Sequence, residues 1–255
     1  MGNWRDTNAE STSMSMAASI WLAPSMAPPL QLGETHIWRA DLDLLAAQGD
    51  LGDALGNDEQ ERAARFVFAR DRGRFVAARG LLRLLLAGYT NSSPAMLRFG
   101  YGPHGKPFLQ DVAIEFNVSH SHQRVLIAVR YAGQIGIDIE RVRTNIDYAP
   151  IAADLFSERE YAELCTLPEA HRRAAFFACW VRKEAFVKAC GLGLALPLKQ
   201  FDVSLRPGAP AALLRIANDQ PDRWSLYAID TDTEYATAVV IEGNTTELRL
   251  FDAII

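Results

Sequence analysis

Cysteine is scarce: Cys165, Cys179 and Cys190 are the three in 255 residues, and no two form a CxxC pair. That odd, spread-out set excludes a disulfide framework and a cysteine zinc site, and it fits reduced thiols in a cytoplasm. No apolar run approaches the ~18 residues that a membrane span needs. Basic charge is not in excess either. The 31 acidic and 26 basic residues leave a net charge of −5, which argues against a nucleic-acid binder. The short apolar stretch Ala17–Ala23 lacks a basic lead-in, since Asp6 and Glu10 precede it and Pro24 ends it. No export signal is expected from it. Met1-Gly2 is not followed by the hydroxyl residue that myristoylation requires, because position 6 is Asp6.

What is present is enough apolar residue, 49%, to bury a core without metal or disulfides. At ~150 residues per domain the length falls between one large domain and two small ones. Residues 1–33, rich in Ser, Met, Ala and Pro, read as a loose extension. A short strand follows at His36–Leu42. Asn57, with Gln60 three residues on, opens a helical pattern to about Ala87 that Gly73 divides in two. Ala113–Val118 alternates as a half-buried strand, Val125–Arg130 pairs with it, and Ile135 starts another strand after a turn. Helical segments near 147–166 and 169–190 precede mostly extended pieces. The order strand, helices, strands thus occurs twice, predicting two α+β lobes, 34–133 and 134–255, with a seam near Gly133. Nothing in the residues makes the halves homologous.

Two motifs mislead. Gly100-Tyr101-Gly102-Pro103-His104-Gly105-Lys106-Pro107 fits GxGxxG, and fits a Walker loop up to its last residue. The first motif needs a following helix, and Pro107 leads into a strand instead; the second needs a Ser or Thr hydroxyl for Mg²⁺, which Pro107 lacks. Lys106 on this stiff turn remains a candidate phosphate contact. His120-Ser121-His122 sets two imidazoles at i, i+2, but no third ligand is near enough in sequence to argue for zinc.

The acidic pattern Gly136-Ile137-Asp138-Ile139-Glu140 is more specific. In a strand the isoleucines share one face, and Asp138 and Glu140 share the other, roughly 6–7 Å apart. So close a pair stays charged only in water or around a cation. A solvated sheet face is one reading; Mg²⁺, which one or two carboxylates and substrate phosphates commonly hold, is the other. Downstream, Trp180, Glu184 and Lys188 stand at i, i+4, i+8 on one face of a helix that Gly191 is suited to cap.

In order, Phe116-Asn117-Val118-Ser119-His120-Ser121, Gly136-Ile137-Asp138-Ile139-Glu140 and Trp180-x-x-Lys183-Glu184-Ala185-x-x-Lys188 form one signature. Gly105-Lys106-Pro107 precedes it, and Gly191-x-Gly193-Leu194-x-x-Pro197-Leu198-x-x-Phe201 follows. The conjunction, over about residues 36–230, resembles the 4′-phosphopantetheinyl transferases of the large, surfactin-synthetase-activating type. The resemblance implies an α+β fold of two similar lobes related by pseudo-twofold symmetry, and a cytoplasmic monomer. It implies transfer of 4′-phosphopantetheine from coenzyme A to a serine of an apo acyl, aryl or peptidyl carrier protein, releasing adenosine 3′,5′-bisphosphate. The nucleophile then belongs to the partner, consistent with the lack of a Ser-His-Asp set here.

By the same resemblance, Asp138, Glu140 and Glu184 hold Mg²⁺, while Glu184 and Lys188 are catalytic. Arg62, Arg74, Lys106, Ser119, His120, Lys183 and Lys188 bind the coenzyme, with His120 near its 3′-phosphate. Glu59 stands where the family has a basic residue. Glu160 matches an acidic position sometimes given a catalytic role, but Ser157-Glu158-Arg159-Glu160 is also a capping box, the reading favoured here. Arg141, Arg143, Arg172 and Arg173 are candidates for a basic rim that docks an acidic carrier. Two alternatives are a non-catalytic relative that binds coenzyme A or carriers, and a Mg²⁺-dependent diphosphate hydrolase. The first would be marked by loss of Asp138, Glu140, Glu184 or Lys188, and all four are present.

Overall fold

The computed structural model describes residues 20–253 except 50 and 246. The expected extension therefore lies mostly outside the described residues. Its last part, from residue 20, is packed. Trp21–Leu22 (β1) pairs with a strand from the far end of the chain, and Leu30 is buried.

The first lobe contains β2 (Glu34–Asp41), α1 (Leu42–Gln48), α2 (Asn57–Ala64) and α3 (Ala69–Thr90). The short hairpin β3 (Phe99–Tyr101) and β4 (Pro107–Leu109) comes next, then the long hairpin β5 (Ile114–Ser121) and β6 (Arg124–Tyr131). The second lobe opens with β7 (Ile135–Arg141), followed by α4 (Tyr148–Leu155), α5 (Glu158–Thr166) and α6 (Glu169–Cys190). Strands β8 (Phe201–Val203), β9 (Leu213–Ile216), β10 (Trp224–Ala228), β11 (Tyr235–Glu242) and β12 (Glu247–Asp252) complete it.

The helical break and its cap differ from expectation. Gly73 lies inside α3, and the chain instead leaves the helix at Arg65–Phe68, where Phe68 is extended. Bulky, β-favouring Phe-Val-Phe is a poorer helix segment than one isolated glycine. The N-cap is Gly56, whose N–H donates to Glu59 at 3.1 Å, rather than Asn57 with Gln60.

Two sheets, ordered β1-β12-β2-β6-β5 and β10-β11-β7, lie face to face with a helix outside each. Period-2 alternation builds both faces of the first sheet. Trp38, Phe116, Val125, Ile127 and Val129 meet Leu81, Leu82, Leu85 and Leu86 of α3 in one cluster. Ile37, Leu126 and Ala128 turn the other way, onto Ile135, Ile137, Ile139, Val239 and Ile241 of the second sheet. The outer face of the second sheet packs on α6 through Ala185, Ala189, Ala238 and Val240. The two lobes share a plan, each laying a 22-residue helix on three antiparallel strands, β2-β6-β5 and β10-β11-β7. The division at 134 is not clean, because β12 crosses back and pairs in parallel with β2.

Gly136 explains how closely α6 lies on β7. A Cβ built there would sit 2.1 Å from the Ala185 carbonyl oxygen and 2.3 Å from the Ala189 nitrogen, backbone atoms that cannot swing aside. Gly136→Ala is expected to destabilise the fold by on the order of 3 kcal/mol, read as a lower urea midpoint with an unchanged slope. A wild-type midpoint would show that the helix can lift at no cost.

Candidate active site

The site gathers where β5, β7 and α6 meet. Strand β7 carries Asp138 and Glu140 on the face turned toward α6, as alternation requires. Helix α6 presents Glu184 and Lys188 one turn apart. Strand β5 turns Asn117, Ser119 and Ser121 toward β7. The two edge strands are joined by side chains: Ile137 N–H donates to Asn117 Oδ1 at 2.9 Å and Ile139 N–H to Ser119 Oγ at 3.4 Å. A third such link runs from Arg141 N–H to Ser121 Oγ at 3.1 Å.

Asp138 is 4% exposed. Its Oδ1 accepts from Lys188 Nζ at 2.6 Å and from Ser119 Oγ at 2.8 Å. Its Oδ2 is buried and has no partner among the described residues. Burial pushes the Asp138 carboxyl above its ordinary pKa, against the pull of Lys188 and Ser119. Glu140 accepts from Ser121 Oγ at 2.8 Å, and burial together with the Asp138 charge raises its pKa too. Glu184 is half-buried and makes no hydrogen bond or ion pair among the described residues. Burial raises its pKa, with the charges of Asp138 and Glu140 adding to the effect. Three carboxylates thus destabilise one another while one buried oxygen goes unmatched. That is the donor set of a hard cation, all oxygen and excess negative charge. The set is not a closed cage: no three His, Cys, Asp or Glu side chains among the described residues stand close enough for one. Lys188 instead clamps Asp138.

Beside these residues opens a cleft of about 600 Å³. Lys106, Asn117, Glu184 and Lys188 supply its polar wall; Val118, Leu155, Trp180, Val187, Leu196 and Leu198 supply an apolar one. Lys106 also ties the lobes together, since its ammonium donates to Ile135 O at 2.9 Å and Ala189 O at 3.0 Å. Gly191, at φ 66°, caps α6 against the Lys106 stem.

The remaining candidates fall elsewhere. Ser119 sits at the centre of the site, but its hydroxyl is already spent on Asp138 and Lys188. His120 is exposed, on the face of β5 opposite Ser119, and does not line the cleft. Arg62 is exposed and stacks over Phe75 at 5.1 Å. Arg74 is held by both oxygens of Asp43 at 2.7 and 2.6 Å. Neither arginine reaches the cleft lining. Lys183 requires a correction. It is fully buried on the far side of α6, bonded to Glu160 at 2.7 Å and to Phe201 O at 2.7 Å, where no coenzyme can reach it.

Glu160 caps α5 as its sequence predicts, donor Ser157 N–H lying 2.9 Å away, and it neutralises Lys183 as well. Glu59, the departure from the basic position, is buried and ion-paired with Arg79 and Arg83. Arg172 binds the carbonyls of Cys165 and Leu167 at the end of α5, and Arg173 those of Arg143 and Ile146, which fixes both side chains while leaving their charge in place. His122 sits at φ 57° in the β5–β6 turn rather than in the strand, so the two imidazoles do not share a face.

Two families of sequence cover most of the chain. Residues 134–240 match the 4'-phosphopantetheinyl transferase superfamily, and residues 48–132 match the 4'-phosphopantetheinyl transferase, N-terminal family. The chain is 39% identical over 233 residues to 4'-phosphopantetheinyl transferase HetI of Nostoc sp., covering 89% of this chain and 96% of that one. The chain belongs to the 4′-phosphopantetheinyl transferase superfamily. Within it the large branch is the right one: 4'-phosphopantetheinyl transferase Sfp of Bacillus subtilis is 30% identical over 177 residues, 69% of this chain and 78% of that one. A solved holo-(acyl-carrier-protein) synthase from Bacillus anthracis, in complex with coenzyme A, is 20% identical, covering 44% of this chain and 96% of that one with a TM-score of 0.37. The family models and these relatives make the protein a 4′-phosphopantetheinyl transferase. No helix among the described residues is long and apolar enough to cross a membrane.

Asn117 and Ser121 lie within the signature but are given no role by it, and the apolar wall of the cleft is likewise unassigned from sequence. The signal for the first two is a polar residue at every second position, 117, 119 and 121, alternating with Phe116 and Val118.

Proposed function

We propose that this transferase moves 4′-phosphopantetheine from coenzyme A to the serine hydroxyl of an apo carrier protein, with Mg²⁺, releasing adenosine 3′,5′-bisphosphate. The observation that carries this reading is the unmatched, buried Asp138 Oδ2, with Glu140 two residues on along β7 and Glu184 lining the adjacent cleft. A diphosphate brought against three carboxylates is repelled unless a cation lies between them. Asp138, Glu140 and Glu184 would hold Mg²⁺, which supplies neutralisation of charge on the diphosphate oxygens.

The chain's own residues do the rest. Lys188, fixed by Asp138 and Ser119 and more loosely by Ile137 O at 3.3 Å, brings its positive charge to the cleft wall and can turn its weakest-held N–H to a phosphate oxygen. Glu184, raised in pKa and without a competing hydrogen bond, is the base for the carrier serine proton. Transfer is then a matter of position and charge, as phosphoryl chemistry demands. The apolar wall from Leu155 to Leu198 suits the pantetheine arm, and coenzyme A and the carrier are the two partners. A monomer fits a cleft built from two lobes of a single chain. The test is stoichiometry: holo-carrier and adenosine 3′,5′-bisphosphate should appear in equal amounts, and neither with a carrier whose acceptor serine is alanine. Coenzyme A consumed without a carrier would identify a hydrolase instead.

His120 allows a separate check. Solvent reaches the ring, but the protein packed around it lowers its pKa, and the Lys188 ammonium lowers it further. A phosphate beside it would raise that pKa. Coenzyme affinity should therefore rise as pH falls through the ordinary histidine range and level off once both forms are protonated. His120→Ala should flatten that part of the profile, read by titration calorimetry; a profile unchanged by the substitution would place the phosphate elsewhere.

A further inference from the structure

The links between β5 and β7 do more than close the seam. Each of Asn117, Ser119 and Ser121 accepts one β7 backbone N–H, at Ile137, Ile139 and Arg141 in turn. Two of the three then pass a hydrogen bond onward. Ser119 Oγ donates to Asp138 at 2.8 Å, and Ser121 Oγ donates to Glu140 Oε2 at 2.8 Å. Each serine hydroxyl is therefore wedged between the carboxylate of one β7 residue and the N–H of the next. A hydroxyl has a single hydrogen, and the N–H approaching its lone pair leaves that hydrogen aimed at the carboxylate. Ser119 also receives Lys188. Ser121 has no such second duty among the described residues.

Glu140 is half-buried, and Ser121 makes its only side-chain hydrogen bond among the described residues. Its longer side chain has more rotamers to lose than Asp138 has, and nothing like the Lys188 clamp restricts it. We propose that Ser121 is a positioning residue: its hydroxyl, reaching across from the first lobe, holds Glu140 so that the other carboxylate oxygen faces the cation. This rests on the reading of Asp138, Glu140 and Glu184 as the cation's ligands. Partners in that outer position commonly set metal affinity by 10–100-fold. The arrangement also makes cation affinity depend on the register of the two lobes, because the ligand and its holder belong to different ones.

The test is Mn²⁺ binding, followed by the loss of its free electron-paramagnetic signal, with coenzyme A saturating and no carrier present. Ser121→Ala should weaken Mn²⁺ by about 10-fold, with a thermal midpoint near that of the wild type. Ser121→Thr keeps the hydroxyl and Ser121→Val replaces it with a methyl of the same shape, and both residues suit a strand. The pair therefore decides the matter even if the alanine variant folds badly. Threonine should restore the affinity and valine should not. Threonine and valine variants of equal affinity would overturn the proposal. Glu140→Gln separates the two levels. If it weakens Mn²⁺ while Ser121→Val matches Ser121→Thr, the positioning role fails alone. If Glu140→Gln leaves Mn²⁺ unchanged, the ligand reading fails, and the positioning role with it.

Discussion

Asp138→Asn is expected to slow phosphopantetheinyl transfer by about a thousandfold, about 4 kcal/mol of transition-state stabilisation, without loss of the fold. The two halves of that expectation have one cause. The Asp138 carboxylate is buried, with Oδ2 unmatched, and the fold pushes its pKa up. A carboxyl whose folded pKa is raised binds protons more readily in the native state than in the unfolded one. Its ionisation therefore removes stability as pH rises from the ordinary carboxylate range through the folded pKa. The amide keeps the shape and still accepts from Ser119 and Lys188, but it carries no charge to be desolvated. Without added divalent cation, Asp138→Asn should thus melt no lower than the wild type at pH 7. The cation reverses the order: Mg²⁺ should raise the wild-type midpoint and leave that of the variant in place. A variant that transfers at the wild-type rate would show that the Asp138 carboxylate is not needed for transfer, and one that unfolds would show Asp138 to be structural.

Lys183→Ala is expected to cost about 3–5 kcal/mol of stability, the usual result of breaking a buried ion pair from one side. Lys183 is fully buried, bonds Glu160 and Phe201 O, and lies 4.2 Å from the centre of the Phe201 ring. Without it, the buried Glu160 charge is left with two backbone donors, Ser157 N–H at 2.9 Å and Val203 N–H at 2.8 Å. Helix α5, helix α6 and strand β8 meet at this pair, so the loss is global and appears as a lower urea midpoint. The double variant Lys183→Met with Glu160→Gln removes both charges and should recover most of the stability. It should also bind coenzyme A as the wild type does. Weakened coenzyme binding in that folded double variant would restore to Lys183 the coenzyme contact that the family resemblance implies.

Asp138 and Lys183 mark the reach of local sequence rules. The strand of Asp138 and Glu140 is legible because period-2 alternation is a local rule, and the Ser157–Glu160 cap because its partners are three residues apart. Neighbours on one helix are harder to separate. Lys183 and Glu184 are adjacent in sequence, yet one points into the core and the other into the cleft. Nothing short of the partner, Glu160, 23 residues away, reveals which. The arginines mislead for the same reason. Composition shows that Arg74 carries charge but not that Asp43 holds it. The crossing of β12 into the first sheet pairs residues more than 200 positions apart, beyond the reach of any local pattern. The Ser119 and Ser121 bridges are visible as an alternation, but their purpose depends on β7 lying alongside.

The most direct measurement is the intact mass of an apo carrier protein after incubation with coenzyme A and this enzyme. Parallel samples contain Mg²⁺, EDTA, or Mg²⁺ restored after EDTA, and each is repeated with Glu184→Gln. A carboxylate site that neutralises the diphosphate predicts a single phosphopantetheine adduct with wild-type enzyme in Mg²⁺, its loss in EDTA and its return on restoration. Glu184→Gln should give little or none in any sample. An adduct that forms equally in EDTA and with Glu184→Gln would contradict the account. So would the absence of any adduct on carriers drawn from fatty-acid, polyketide and peptide synthases.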